Sequence, residues 1–491
     1  MLASLMLTIT LLAAPPASPP ADSWLVTNVS VIPLDTGEVL KERAVLIRNG
    51  RIEAISPARK RRIRGATVID GSGKFLVPGF VDAHVHIATE GGLRASKEPA
   101  LAALRLDGRH DRRILLSFLK AGVTGAANLG GSVAGDEALL QLRDAIAAGG
   151  LPGPRLFVGK RINGPRAAVA SVPDAAALPP SSPDAPRTAA DGAAAVRAAQ
   201  ARGYDFIKPY QFLDRDTYRA VIDTARELGL PTTGHLPELG CETCADRAFV
   251  FAHPPTNIAH AEELVRYARA SDFAPADIDA LAEAVAASRV SVTPTLVTLN
   301  SIVHMYRERE LAPMPRDWLP LVDPVTRRDW HPPRNRYLGE AFRTQPDADT
   351  FPIGRDYARL LTRALWKHGV ALTTGTDAAM PRLYYGVSLQ QEMRELRAVG
   401  LPPIDVLRAA SVHAHRLFAR SESGAVREGA IADLVLLDAD PLADIDNIAR
   451  VAGVFVHGRW RSIADIDAEL TGLRANDAAL EASLGGADPG H

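Results

Sequence analysis

A chain of 491 residues with 47% hydrophobic and 23% charged residues has the composition of a globular protein that can bury more than one ordinary core. Its formal net charge is -1, so it has no basic field with which to hold a nucleic acid or an anionic membrane. This excludes a polyanion-binding protein and points to a small-molecule partner.

Residues 1–21 join an apolar run, Leu2 to Ala14, to a stretch of Pro, Ala and Ser. The run is too short for a stable membrane span and has the form of a secretory signal, although no Lys or Arg precedes it. An exported protein, periplasmic or secreted, is therefore expected. Residues 25–32, 44–48 and 51–55 read as strands, the last two joined by the turn dipeptide Asn49-Gly50. The basic run Arg59 to Arg64 reads as a solvated loop. Residues 66–70 and the step Gly71-Ser72-Gly73 lead into the apolar stretch 75–86.

From residue 98 onward helical patterns alternate with short apolar strands, as in successive βα units. Eight strands are predicted, at 76–86, 123–129, 155–159, 204–210, 230–236, 257–261, 290–297 and 371–377, with helices at 111–121, 135–148, 189–202, 214–228 and 275–288. Eight such units make a (β/α)8 TIM-type barrel. Two connections break the rhythm: 166–187, rich in Pro, Ala and Ser, and 298–352, with Tyr306, Trp318, Trp330 and Tyr337 among prolines and arginines. Connections of that length serve as functional lids or are disordered, and 298–352 is the predicted lid that sets specificity.

The only cysteines, Cys241 and Cys244, read as a loop staple, a disulfide that export would permit; two cysteines alone do not complete a structural zinc site. Past residue 377, helices are predicted at 388–399 and 403–411, and β-signals return at 424–438 and 451–456. The expected division is a discontinuous β-sandwich domain from 22–75 and 421–464, a barrel over 76–420, and a C-terminal helix and tail over 465–491.

Side chains two apart on a strand share a face, so His84 and His86 project together. An isolated His-x-His is as readily a satisfied structural pair, and only its context decides. Here Lys208, His235, His260 and Asp377 also fall at predicted strand ends, and barrel sites form at the C-terminal strand ends. Buried His, Lys and Asp are costly unless paired or bound to a metal.

Over residues 25–461 the chain resembles the amidohydrolase superfamily. The motifs that carry the likeness are Pro78-Gly79-Phe80-Val81-Asp82-Ala83-His84-Val85-His86, Phe206-Ile207-Lys208, Pro231-Thr232-Thr233-Gly234-His235, Asn257-Ile258-Ala259-His260, Gly375-Thr376-Asp377 and the late Gly429-Ala430-Ile431-Ala432-Asp433. The resemblance implies a binuclear metal site: His84, His86 and Asp377 on one ion, His235 and His260 on the other, with Lys208 bridging them as a carboxylated lysine. Such a nitrogen and oxygen set suits two zinc ions, with manganese, cobalt or iron as substitutes. A water acidified between the ions would attack an amide carbonyl, with Asp377 as general acid/base.

Within the superfamily the chain looks most like the Xaa-Pro and Xaa-basic dipeptidases and the N-acyl amino acid and ochratoxin amidases. This implies a small-molecule amide or peptide substrate and a homo-oligomer. Tyr210, Arg166 and Tyr385 are candidate substrate contacts, with Arg161 beside them. Asn128 stands where relatives commonly carry an acidic residue, Arg166 follows Asn163-Gly164-Pro165 where Gly-Gly-His is frequent, and Tyr385-Gly386 stands where many carry His-Gly. A lactone, ester or phosphoester hydrolase is the alternative on the same site. A deaminase of this kind would dispense with the bridging lysine, and a catalytically silent binding protein would have no use for a full ligand set.

Overall fold

The computed structural model describes residues 23–58, 63–90, 93, 107–130, 136–165, 185–210, 212–237, 247–267, 275–344, 350–418 and 422–484. The apolar leader at 1–21, part of the Arg59 to Arg64 run, Arg166, Cys241 and Cys244 lie outside them.

Strands from both ends of the chain share one hydrogen-bonded sheet: β1 (Ser23–Val31), β2 (Leu40–Arg48), β3 (Arg51–Pro57), β4 (Thr67–Asp70) and β5 (Phe75–Pro78) with β13 (Leu434–Leu437), β14 (Val451–Val456) and β15 (Arg459–Ser462). The expected two-layer sandwich is, in its hydrogen bonding, this single sheet. Asn49 and Gly50 have φ of 52° and 71°, the backbone that a two-residue hairpin requires and that Asn-Gly accepts at low cost. They set Arg48 opposite Arg51.

The predicted strand 76–86 is two strands. β5 runs antiparallel to β13, and after Gly79 the chain leaves that sheet for β6 (Phe80–Val85), parallel to β7 (Val123–Asn128). The Gly79 N–H donates to Asp433 O at 2.9 Å, and a Cβ there would meet Thr124 Oγ1 at 1.8 Å. Only glycine lets the backbone pass so close to β7 while changing sheets.

β6, β7, β8 (Arg155–Ile162) and β9 (Phe206–Pro209) form one parallel ladder; β10 (Thr233–Gly234), β11 (Asn257–Ala259) and β12 (Ser291–Thr293) form another. Single parallel bridges, Ile207 to Thr232, Val292 to Leu372 and Val85 to Ala378, extend the contacts between them. The predicted fifth strand shrinks to two residues and the eighth to such bridges. Buried hydroxyls and amides take part of the load: Thr233 Oγ1 and Thr293 Oγ1 both donate to Asn257 Oδ1, at 2.9 and 2.8 Å, and Thr293 Oγ1 lies 2.6 Å from Thr373 Oγ1. The result is a mixed α/β fold.

The helices follow their caps. Thr188 and Asp214 accept from Asp191 N and Thr217 N to start Ala189–Ala201 and Arg215–Glu227, which end at Gly203 and Gly229 with φ of 81° and 69°, the usual Ncap chemistry and left-handed stop. The described residues of the 298–352 connection form packed structure and not an open loop. It holds helices Leu296–Glu308, Pro324–Asp329 and Glu340–Arg343, the short turns Leu319–Leu321 and Arg336–Leu338, and the start of Thr350–Lys367. Trp318, Trp330 and Tyr337 are buried within it. Among the described residues no helix is long and apolar enough to cross a membrane.

Candidate metal centre

The end of β6 delivers His84 and His86 to Asp377, which follows the bridge between residue 372 and β12. The two Nε2 atoms are 3.3 Å apart and lie 3.3 and 3.1 Å from Asp377 Oδ1. These ligand atoms all fall within 4.8 Å of one another. The Asp377 N–H donates to His84 O at 2.8 Å, so main chain and side chain are pinned to the same neighbour.

Lys208 enters from the end of β9, its Nζ 3.4 Å from His84 Nε2. The His260 ring is centred 4.5 Å from that of His84 and 5.0 Å from that of His235. The structure therefore brings His84, His86, Lys208, His235, His260 and Asp377 into one cluster. Tyr210 lies over it, its ring 4.4 Å from the His235 ring and 4.8 Å from Lys208 Nζ, with the Arg161 guanidinium 5.3 Å away. Tyr385 is placed differently. It is buried, its hydroxyl donating to His86 O at 2.9 Å and accepting from Ala88 N at 3.3 Å, so it holds the strand end instead of facing a ligand. Asn128 supports the same turn, its Oδ1 accepting from Ile87 N at 2.7 Å.

The neighbours of the imidazoles were not legible as site residues beforehand. His86 Nδ1 sits 2.5 Å from Gly130 O, His235 Nδ1 3.1 Å from Glu263 Oε1 and His260 Nδ1 2.8 Å from Thr295 Oγ1. The Thr295 hydroxyl itself donates to Pro294 O, so it accepts from His260. Each contact assigns the proton to Nδ1 and leaves the unprotonated Nε2 with its lone pair free to ligate, the arrangement that orients a metal-binding histidine.

Thr295 stands at the Ncap of Leu296–Glu308 yet makes no side-chain cap. Glu392 supplies it from the neighbouring helix, accepting from Val297 N at 2.8 Å. His260, Thr295 and Asp377 have φ of 76°, 52° and 54°, a region unfavourable for side-chain-bearing residues and most so for a β-branched threonine; such strain gathers at functional sites.

Burial lowers the Lys208 ammonium to about 8, with Arg161 pushing the same way and Asp377 opposing. Burial also lowers His260 to about 3. Among the described residues no carboxylate lies within ion-pair distance of Lys208 Nζ. Imidazoles converging on an ionised carboxylate, beside a buried amine with no ion-paired carboxylate among the described residues, fit divalent cations and fit a lysine that becomes anionic by carboxylation.

The amidohydrolase family matches residues 75–461 of the chain. A Xaa-Pro dipeptidase with bound methionine in its active site superposes with a TM-score of 0.66 at 17% identity, over 90% of this chain and 100% of that one. The ochratoxinase of A. niger superposes with a TM-score of 0.63 at 16% identity, over 90% and 95%. These likenesses show the fold. The adenine deaminase of Desulforamulus reducens is 38% identical over 68 residues, 14% of this chain and 11% of that protein, so the chain is matched to only about a tenth of that relative's length.

Proposed function

The chain belongs to the amidohydrolase family, and from that premise we propose that it is a binuclear metal-dependent hydrolase that cleaves the amide bond of a peptide or an N-acyl amino acid. The ladders and bridges are read as a closed (β/α)8 barrel with the small sheet as a second domain, and residues 1–21 as an export signal. The observation that carries the reading is the convergence of four imidazoles, Asp377 and the buried Lys208. His84, His86 and Asp377 would hold one ion and His235 and His260 the other, with carboxylated Lys208 between them.

Two divalent ions, zinc for preference, would supply an electrophile for the scissile carbonyl and acidify a water. Asp377 accepts the proton of that water and delivers it to the leaving nitrogen, the task of a general acid/base. Gly130 O, Glu263 and Thr295 keep the imidazoles in the tautomer that offers Nε2. Tyr210, its ring beside His235 and Lys208, would donate to the carbonyl oxygen. The short likeness to an adenine deaminase supports a deaminase less well, because a mononuclear deaminase leaves the buried Lys208 without a role.

Elemental analysis of the purified protein and of Lys208→Ala, with turnover of dipeptides and N-acyl amino acids, tests the reading. It requires about two metals per chain in the parent, as a two-metal site demands, a loss of metal in the variant, and amide hydrolysis. One metal or none in a well-folded parent would end it.

A further inference from the structure

The loop 149–153 carries the chain from helix Asp136–Ala147 to the start of β8. β8 runs from Arg155, beside this loop, to Arg161, level with Lys208 in the register of the sheet. The loop therefore lies about 20 Å from the metal centre by the rise of a strand. An open cleft of about 210 Å³ separates it from the first turn of helix Arg109–Lys120 and from the hairpin of β14 and β15.

The charged side chains that line the cleft are all basic: Arg112, Arg459 and Arg461, with His457 beside them. Among the described residues no Asp or Glu lines it, in a chain whose formal net charge is -1. Arg459 and Arg461 are two apart on β15 and share a face. Glu469, outside the lining, accepts from Arg461 Nη1 at 2.6 Å and from Arg112 Nη2 at 2.5 Å. One carboxylate thus sets two guanidiniums side by side and leaves their other N–H groups unused. Arg459 rests against Gly149, where a Cβ would come within 3.0 to 3.2 Å of the guanidinium, so only a residue without a side chain leaves it room. Among the described residues Arg459 has no carboxylate or hydrogen-bond partner.

Three guanidinium charges against one carboxylate leave an excess of two. The carbonyls that end helix Asp136–Ala147 offset only about half a charge. A dianion balances this excess where a monocarboxylate does not, and the guanidinium fork matches the oxygens of a phosphate. We infer that the cleft binds a phosphate-type dianion, free or as the ester of a small metabolite, between Arg112, Arg459 and Arg461. The bound anion ties helix Arg109–Lys120 and the 149–153 loop to β15 of the terminal sheet. It takes no part in the chemistry at the metal centre, and the inference stands apart from the amidase reading.

Calorimetric titration of the metal-loaded protein with inorganic phosphate and with glycerol 3-phosphate, alongside melting temperatures in both, tests it. The parent should bind saturably and melt at a higher temperature with the anion present. Arg459→Gln should bind at least about tenfold more weakly, the weight of one charge-assisted hydrogen bond, and should lose the thermal gain while its metal content stays the same. Arg459→Lys should keep part of both. Tighter binding of glycerol 3-phosphate would assign the site to an ester and tighter binding of phosphate to the free ion; either upholds the site. No binding by the parent, or equal binding by parent and Arg459→Gln, would overturn it. So would binding that is lost with the metal ions while the fold persists, since that places the anion on the metal centre.

Discussion

The Thr376 hydroxyl donates to the buried carboxylate of Asp82 at 2.7 Å, while the same carboxylate accepts from Thr376 N at 3.1 Å and His84 N at 3.2 Å. Asp82 thus fastens the strand that presents His84 and His86 to the turn that presents Asp377, without itself facing the metal centre. Thr376→Val keeps the shape and removes a hydroxyl that donates to Asp82, whose carboxyl burial raises to about 7, and accepts from Ala378 N at 3.2 Å. The expected outcome is a loss of about 1–3 kcal/mol in stability together with weaker metal retention. Chemical denaturation and metal titration check it; unchanged values for both would show the clasp to be idle.

The Thr295 hydroxyl oxygen accepts from His260 Nδ1 and leaves the start of Leu296–Glu308 to Glu392. Thr295→Val removes the acceptor that fixes the His260 tautomer but retains the helix cap. The affinity for one ion should fall about 10- to 100-fold, as for other supporting partners of metal-binding histidines, with little change in melting temperature. A competition assay with a chelator would measure it, and a drop in thermal stability without one in metal affinity would count against the role.

His84 and His86 were legible because a strand's period of two needs no tertiary information, and Asn49-Gly50, Thr188 and Asp214 were legible because turns and caps are local chemistry. The break at Gly79 was hidden, since the apolar pattern runs unbroken across it and only the approach of Thr124 shows why the chain turns. Glu263 and Thr295 gave no signal either: an acid three residues after His260, or one hydroxyl among many, acquires meaning only when folding sets it against an imidazole. The helix Thr350–Lys367 was missed because the prolines and arginines of the preceding stretch obscure its period.

Tyr385 bonds to backbone on both sides, His86 O and Ala88 N, so its effect should be structural. Tyr385→Phe leaves a buried N–H and a carbonyl without this partner, at a cost of about 1–3 kcal/mol. The relative kcat/KM values for any pair of substrates should stay constant while metal affinity weakens. A change in substrate preference with metal binding intact would restore it as a substrate contact.

Glu392 is fully buried, and burial raises its carboxyl to about 8 despite the hydrogen bonds from Val297 and Leu296 N–H groups that favour the anion. The unfolded chain ionises it near the ordinary 4.5. Between those values the folded protein holds more protons than the unfolded one, so stability falls as pH rises. The contribution is fully present below about 4.5 and is lost as pH passes through about 8. Glu392→Gln keeps an acceptor for Val297 N and removes the titration. Its unfolding free energy should vary less than the parent's between pH 5 and 8, and at pH 8 it should be the more stable of the two. Urea denaturation at several pH values checks this; parallel pH dependences for parent and variant would mean that Glu392 stays ionised in the folded state.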